Sequence, residues 1–487
     1  MGRLIYTLFY SSLVLSALTA HAATLEISGR HTLSVTEQTL IMIGDEQVPL
    51  NQAQIDAGMK VEVLIAGPQI ADDQRGAGLP AAALIFDFDL RGPVTGQNPL
   101  QVLGQDLSVI GDTQLNGINS AADLEPGDMV VISGQFDING SLIASLIERL
   151  PSSPTSWRIA GYVSATGADM LNIGNQQLQY AGVVPLDCDG GPNAGDHVIA
   201  RADPIADFQP GQPIDTVTRL RCATPVPPGT PGAAGGLEGV INALTGPSQF
   251  DLGGLLVEFD AATVFLNGSV DDLAVGAMIE LEGTYITATS VLANVIEMVH
   301  PVVRLQAPFT PADVTPGVSL GALGLEFLIS PQVRDEDGIA ANGLSQPTQV
   351  EIRGYVDALG QLFAQRVRER GAPDINDHRL RGPVTQISRP QFDILNLTID
   401  TSSSLFEDEF GNPLSADDFF ALLTTDSIAD IGGAQFDGPS NTLSGGIVLY
   451  IGPAGAAQQR GPSTDTTLFG TVTQGFAAVT LFADGFE

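Results

Sequence analysis

Apolar and polar residues alternate in short runs along most of the chain, a period of two that predicts β-strands with one buried face. Three stretches share one frame: VVISGQFDINGSLIASLI from Val130, IELEGTYITATSVLANVI from Ile279 and QVEIRGYVDALGQLFAQRV from Gln349. Each carries a Gly (Gly134, Gly283, Gly354) with an Ala ten residues later (Ala144, Ala293, Ala364). Alternation on both sides of the turn predicts an antiparallel hairpin, with Gly140 and Gly360 in the turn of two copies. Just upstream, Gly58, Gly127, Gly195 and Gly276 each stand three residues before a Val or Ile. Ile55, Leu124 and Leu273 sit three positions before three of those glycines, which predicts a helical turn that starts at a capping Asn, Ser or Asp, stops at Gly and plugs the core with its aliphatic residue. Further upstream, QVLGQDLSVI, DMLNIGNQQLQY, SQFDLGGLLVEF and PQFDILNLTID predict strand pairs around tight turns.

One unit therefore reads strand, strand, strand, short helical turn, strand, strand over roughly 65–80 residues, the order of small five-stranded barrels of the OB type. The expected fold class is all-β: tandem OB-like barrels, each with a short helical turn between strands 3 and 4. The units span 23–88 (divergent), 89–150, 157–222, 236–300, 303–372 and 377–452 (divergent). A Pro- and Gly-rich linker, 223–235, is expected to be semi-extended and unpacked, dividing the units into two sets of three. A second linker, 453–465, precedes a C-terminal hairpin tail, 466–487.

The template [LI]-x-G-x-[VI]-[TSN] marks the first strand of a unit: LRGPVT at Leu90 and again at Leu380, IAGYVS at Ile159, LEGVIN at Leu237 and LFGTVT at Leu468. Arg91 and Arg381 read as variable passengers within it. The copy at Leu468 opens a unit that is not continued, so deletion of Leu468 to Glu487 is expected to leave the upstream units folded. These patterns, best seen in LRGPVT, ADLEPGDMVVISGQFDINGSLIAS and VEIRGYVDALGQLFAQRV, resemble the tandem repeats of an uncharacterised domain family of exported bacterial proteins. The resemblance implies small barrels and supplies no catalytic residue. The final LFADGFE is similar to short Asp-Gly-Phe-Glu tails on exported proteins of some Gram-negative bacteria.

The first residues sharpen the address. Arg3, an apolar run from Leu4 to Ala20 and the small-x-small site Ala20-His21-Ala22 read as a signal peptide, 1–22, with no cysteine to carry a lipid. No later apolar run is long enough to span a bilayer, so the expected protein is exported: periplasmic, cell-surface or secreted. In an oxidising compartment the only two cysteines, Cys188 and Cys222, are expected to form a disulfide. The formal net charge is −36, and Lys60 is the only lysine, so the chain offers no basic stripe to hold a phosphate backbone.

Candidate chemistry is sparse. The histidines remaining after the signal (His31, His197, His300, His378) are scattered over different units and read as surface or edge residues, and neither a G-x-S-x-G nor an H-E-x-x-H motif is present. Acidic loops are the candidates for a metal: Asp187, Asp189, Asn193 and Asp196; Asp335, Asp337 and Asn342; Glu407, Asp408, Glu409 and Asn412. Their oxygens at alternate spacing suit calcium, although none follows the twelve-residue calcium loop. Catalytic residues and an organic cofactor are not expected. The expected function is that of an exported, non-catalytic structural or binding module whose partner is an envelope protein or glycan, with no nucleic acid and no membrane span. The alternative is an exported hydrolase with a site between adjacent barrels.

Overall fold

The computed structural model describes residues 22–477, apart from 28–30, 45, 66–78, 137–139, 227, 301, 358, 409–411, 426, 454–466 and 475. The signal segment up to His21, nearly all of the 453–465 linker, Glu409 and the LFADGFE end lie outside the described residues.

Strands account for most of the described chain and close into small five-stranded barrels. In the barrel that opens with LRGPVT, the strand Leu90–Gln97 pairs antiparallel with Leu100–Val102 on one side and Met129–Phe136 on the other. Gln105–Ser108 pairs antiparallel with Leu100–Val102 and parallel with Leu142–Arg149, which closes the circuit against Met129–Phe136. The order around the barrel is thus 1-2-3-5-4-1. The barrels that open with Ala234–Gly246 and His378–Ser388 repeat it. In the barrel that opens with Trp157–Gly167, strands 3 (Gln176–Gln179) and 5 (Val217–Cys222) share no ladder among the described residues, and the chain beside them meets at isolated parallel bridges, Leu178 to Ile214 and Leu186 to Arg221. The barrel that opens with Val302–Phe309 has ladders 2-3-5-4-1 and, among the described residues, none between strands 1 and 2.

Two glycine positions explain the sequence templates. The Gly of the first strand faces the Val or Ile that follows the upstream Gly-x-x motif: Gly92 opposite Val130, Gly161 opposite Val198, Gly239 opposite Ile279. A Cβ on Gly92 would lie 2.6 Å from Leu103 Cδ1, so the missing side chain is the space that the following turn's leucine fills. The Gly of the fourth strand sits at a bulge and faces the recurring Ala: Gly134 opposite Ala144, Gly283 opposite Ala293, Gly354 opposite Ala364. There a Cβ would meet the carbonyl oxygen of the fifth strand at 2.2, 2.4 and 1.8 Å respectively, so only glycine allows the approach.

The C-terminal tail departs from the expectation. The strand Thr467–Gln474 does not open a new unit; it supplies the first strand of the N-terminal barrel. It pairs antiparallel with Lys60–Ile65, placing Leu468 opposite Val63 and Gly470 opposite Val61. That is the register of Leu90 opposite Ile132 and Gly92 opposite Val130. Its other edge meets Ala22–Ile27, and the circuit continues through His31–Thr36 and, in parallel, Leu79–Phe86. The chain therefore closes on itself. The unit 23–88 is a barrel whose first strand lies at the far end of the sequence.

The barrels are also joined to one another by their first strands. Leu90–Gln97 pairs antiparallel with Trp157–Gly167, and Val302–Phe309 with His378–Ser388, while Thr467–Gln474 runs parallel to Ala234–Gly246. Each of the two antiparallel couples has a single continuous apolar core. A smaller cluster of Ile110, Ile143, Val240, Tyr355 and Phe363 joins barrels two, four and five. The arrangement is thus three couples in contact, not two sets of three separated by a linker. The segment 223–235 packs rather than standing free: Val226 is buried in the fourth core, and the Gly229 and Gly232 N–H groups donate to the Ala288 and Tyr285 carbonyls.

Candidate functional site

The acidic loops do not converge. Asp187, Asp189 and Asn193 are exposed, and one Asp196 oxygen accepts the Asn193 N–H at 2.8 Å, a turn-capping bond. Asp335 accepts the Ala341 N–H at 2.9 Å, Asp337 accepts the Glu369 N–H at 2.6 Å, and Asn342 donates to the Gly338 carbonyl. Asp408 accepts both the Asn412 N–H and its amide. Among the described residues no three His, Cys, Asp or Glu side chains are placed to share a metal. Cys188 and Cys222 form a disulfide that ties the loop before the fourth strand of the third barrel to the end of its fifth.

The buried polar groups gather at one cage within the fifth barrel and where barrels meet. Glu351, on the fourth strand of the fifth barrel, is fully buried among arginines. One oxygen accepts from Arg304 at 2.5 Å and lies 3.5 Å from Arg370; the other accepts from Arg353 at 3.0 Å and Arg368 at 2.7 Å. Alternation places these residues on the outer face of neighbouring strands, where they share one carboxylate. Burial pushes that carboxyl up, but Arg304, with Arg353 and Arg368, outweighs it and holds it down at about 2.

A second centre lies between the first three barrels. Asp89 is bonded to Lys60 and accepts the Gly134 N–H at 2.9 Å, while Arg158 bonds Asp87 and the Phe88 carbonyl. Burial of the Asp89 carboxyl exceeds the pull of its cationic neighbours, so its pKa is raised. The arginines of LRGPVT belong to these junctions and are not passengers. Arg91 donates to the Ser156 carbonyl and hydroxyl. Arg381, itself buried, pairs with buried Asp272 of the fourth barrel at 2.9 Å.

Three histidines are interior rather than superficial. His197 Nδ1 donates to the Ala223 carbonyl at 3.2 Å, its ring meets Tyr162 edge-on at 5.3 Å, and burial, then Lys60, Arg158 and Arg221, push it down to about 3. His378 Nδ1 donates to the Ala434 carbonyl. His300 lies on Tyr355 with ring centroids 4.7 Å apart and Nε2 3.1 Å from Asp112. Its pKa is lowered by burial, against the opposing pull of Asp112 and Asp357. Asp357 in turn accepts the Gly111 N–H at 2.7 Å, so barrels two, four and five meet around one polar knot.

A cavity of about 20 Å³ beside that knot is lined by His300, Asp272, Tyr355 and Gln365 together with Ile143, Ala277, Met278, Met298 and Val302. It has room for about one water, far below the several hundred Å³ of a small-molecule site. An open recess of about 580 Å³ between Gly117, Asp128, Arg149 and Pro151 carries one exposed ion pair, Arg149 to Asp128 at 2.7 Å, and no histidine. Sequence reasoning missed the polar junctions. The one signal available was a charged residue at an alternating position where a strand's outer face should meet solvent on only one side.

Comparison with known families agrees with the repeat structure. A family model described as a domain of unknown function (DUF5666) matches residues 91–148 and 238–297. Those are the second and fourth barrels, so the chain carries tandem copies of an uncharacterised domain, and the family assigns no catalytic activity. No curated protein matches the chain. None of the described helices is long and apolar enough to cross a membrane.

Proposed function

We propose that the protein is an exported, non-catalytic structural or binding module of the bacterial envelope or exterior, built from OB-like barrels in which the turns at Ala121–Asp123 and Val270–Asp272 take the place of the helix between strands 3 and 4. The observation that carries the reading is the use made of buried polar chemistry. Asp89, Asp272 and Asp357 are spent on a lysine, an arginine and a backbone N–H of a neighbouring barrel, where they fix the relative placement of barrels, while Glu351 is spent on arginines of its own barrel. The disulfide and the signal-like N-terminus support export. An assembly with little internal freedom suits a scaffold or a binding surface better than a chemistry that needs an accessible, hydrated cleft.

Affinity capture of envelope proteins and glycans on the immobilised mature protein, with and without calcium, tests the role. Enrichment of one envelope component is the expected result. Turnover of ester, peptide or glycoside substrates by the same preparation would favour the hydrolase instead. Export is tested separately by cell fractionation and the intact mass of the product, expected to begin at Ala23.

A further inference from the structure

The N-terminal barrel differs from the others in where its first strand comes from. In the second, third, fourth and sixth barrels the first and second strands are joined by a tight turn: Gln97 to Leu100, Gly167 to Met170, Gly246 to Gln249, Ser388 to Gln391. A strand held that way cannot leave its barrel without unmaking the turn. Thr467–Gln474 has no such tether, since the strand it joins, Ala22–Ile27, lies at the other end of the described chain.

Without Thr467–Gln474 the barrel presents a slot one strand wide. One wall is the Lys60–Ile65 edge, with donors and acceptors from Lys60 to Leu64, and the other is Glu26 and Ile27. Its floor is the apolar core of Leu25, Ile27, Val61, Val63 and Phe86, all buried. The slot has a sequence preference, because Leu468 and Gly470 occupy the register that Leu90 and Gly92 hold in their own barrel. An extended segment of the form L-x-G-x-V-T from any source satisfies the same ladder, and every copy of this chain carries one.

We propose that the slot is a strand-acceptor site for the C-terminal segment of a second copy of this chain, so that copies join by exchanging Thr467–Gln474. Exchange conserves each ladder pair and makes no new interface chemistry, the low-cost route to assembly by swapping an identical element. Reciprocal exchange between two copies fills both slots, and a closed dimer is therefore the smallest product. The tail's effective concentration for its own barrel is about millimolar, so exchanged dimer grows with protein concentration toward that range.

Leu64 is exposed and lies opposite Thr467, which allows a cross-link that reads the exchange directly. Leu64→Cys protein is mixed with Thr467→Cys protein of different mass, unfolded and refolded together under oxidising conditions with the native disulfide kept, and run on a non-reducing gel. A covalent one-to-one heterodimer is expected, its yield rising roughly in proportion to concentration up to about 1 mM. The double variant Leu64→Cys/Thr467→Cys, refolded dilute, is expected to cross-link within a single chain. Absence of the heterodimer at all concentrations while the double variant closes on itself overturns the proposal. Failure of the double variant to cross-link overturns it too, by removing the register on which it rests.

Discussion

Glu351→Gln removes one negative charge and almost no volume from a carboxylate shared by four arginines. Arg304, Arg353, Arg368 and Arg370 all reach its two oxygens, and Glu351 itself has no contact with solvent. In the variant a neutral amide faces four guanidinium groups: its oxygen can serve one side of the cage, and its NH2 confronts donors on the other. Breaking a buried ion pair by neutralising one partner costs about 3–5 kcal/mol, because the mostly buried guanidinium groups of Arg304, Arg353 and Arg368 lose their counter-charge, while the more exposed Arg370 contributes little. For an unfolding unit of about 150 residues, the size of the coupled fifth and sixth barrels, that lowers Tm by about 8–15 °C. Calorimetry resolves it as a shift of one transition while the others stay in place. A downward shift of under about 2 °C would show that the cage is solvated and that the arginines do not depend on Glu351. The sign with pH is also set. The carboxyl is held at about 2, below its value in the unfolded chain, so its contribution is complete above the ordinary glutamate range and fades as pH falls toward 2. The stability difference between wild type and variant should shrink over that acidic window.

Three further outcomes follow from single contacts. Gly354→Ala, whose Cβ would sit 1.8 Å from the Phe363 carbonyl oxygen, should cost at least about 2 kcal/mol in urea unfolding, whereas Gly360→Ala, with open space around it, should cost only about 1–2 kcal/mol for its positive φ; equal costs would deny the bulge its role. Arg381→Met strands buried Asp272 and should destabilise by about 3–5 kcal/mol, and the double variant Arg381→Met/Asp272→Asn should recover most of it; strictly additive losses would show that the two groups do not interact. His197 is held neutral down to about 3 in the folded protein, so the unfolded chain binds one more proton between about 6.5 and 3, and stability is lost by about 1.4 kcal/mol per unit as pH drops through that window. His197→Gln should lose that slope, and an unchanged pH profile of unfolding would mean that the ring is hydrated.

The repeating parts of the fold are readable in the chain because each is a local backbone demand. A bulge that tolerates no Cβ writes Gly134, Gly283 and Gly354, and the facing strand writes an Ala ten residues on. The boundaries followed from the first-strand template for the same reason. Closure was not readable, although its residues were in view. LFGTVT at Leu468 has the template's spacing, but spacing states only that a segment is a first strand, not which set of four strands it joins. The template is absent from 23–88 and equally from 303–372, so its absence did not single out the unit that takes the tail. Contacts between barrels were hidden for a different cause. Arg381, Asp272 and His300 are polar, and polarity reads as exposure until a second barrel is known to lie over them.

Hydrogen exchange reads, strand by strand, whether the chain closes through its tail. Protein beginning at Ala23 is compared with the same protein lacking Leu468 to Glu487, following the amides of Lys60–Ile65, Glu26 and Ile27 against those of Met129–Phe136 and Leu142–Arg149 as internal reference. Closure predicts that the truncated protein loses protection across Lys60–Ile65 and at Glu26 and Ile27 while the second barrel's closing hairpin keeps its own. Unchanged protection in Lys60–Ile65 after truncation would contradict it, leaving the N-terminal barrel complete without the strand that the structure places there.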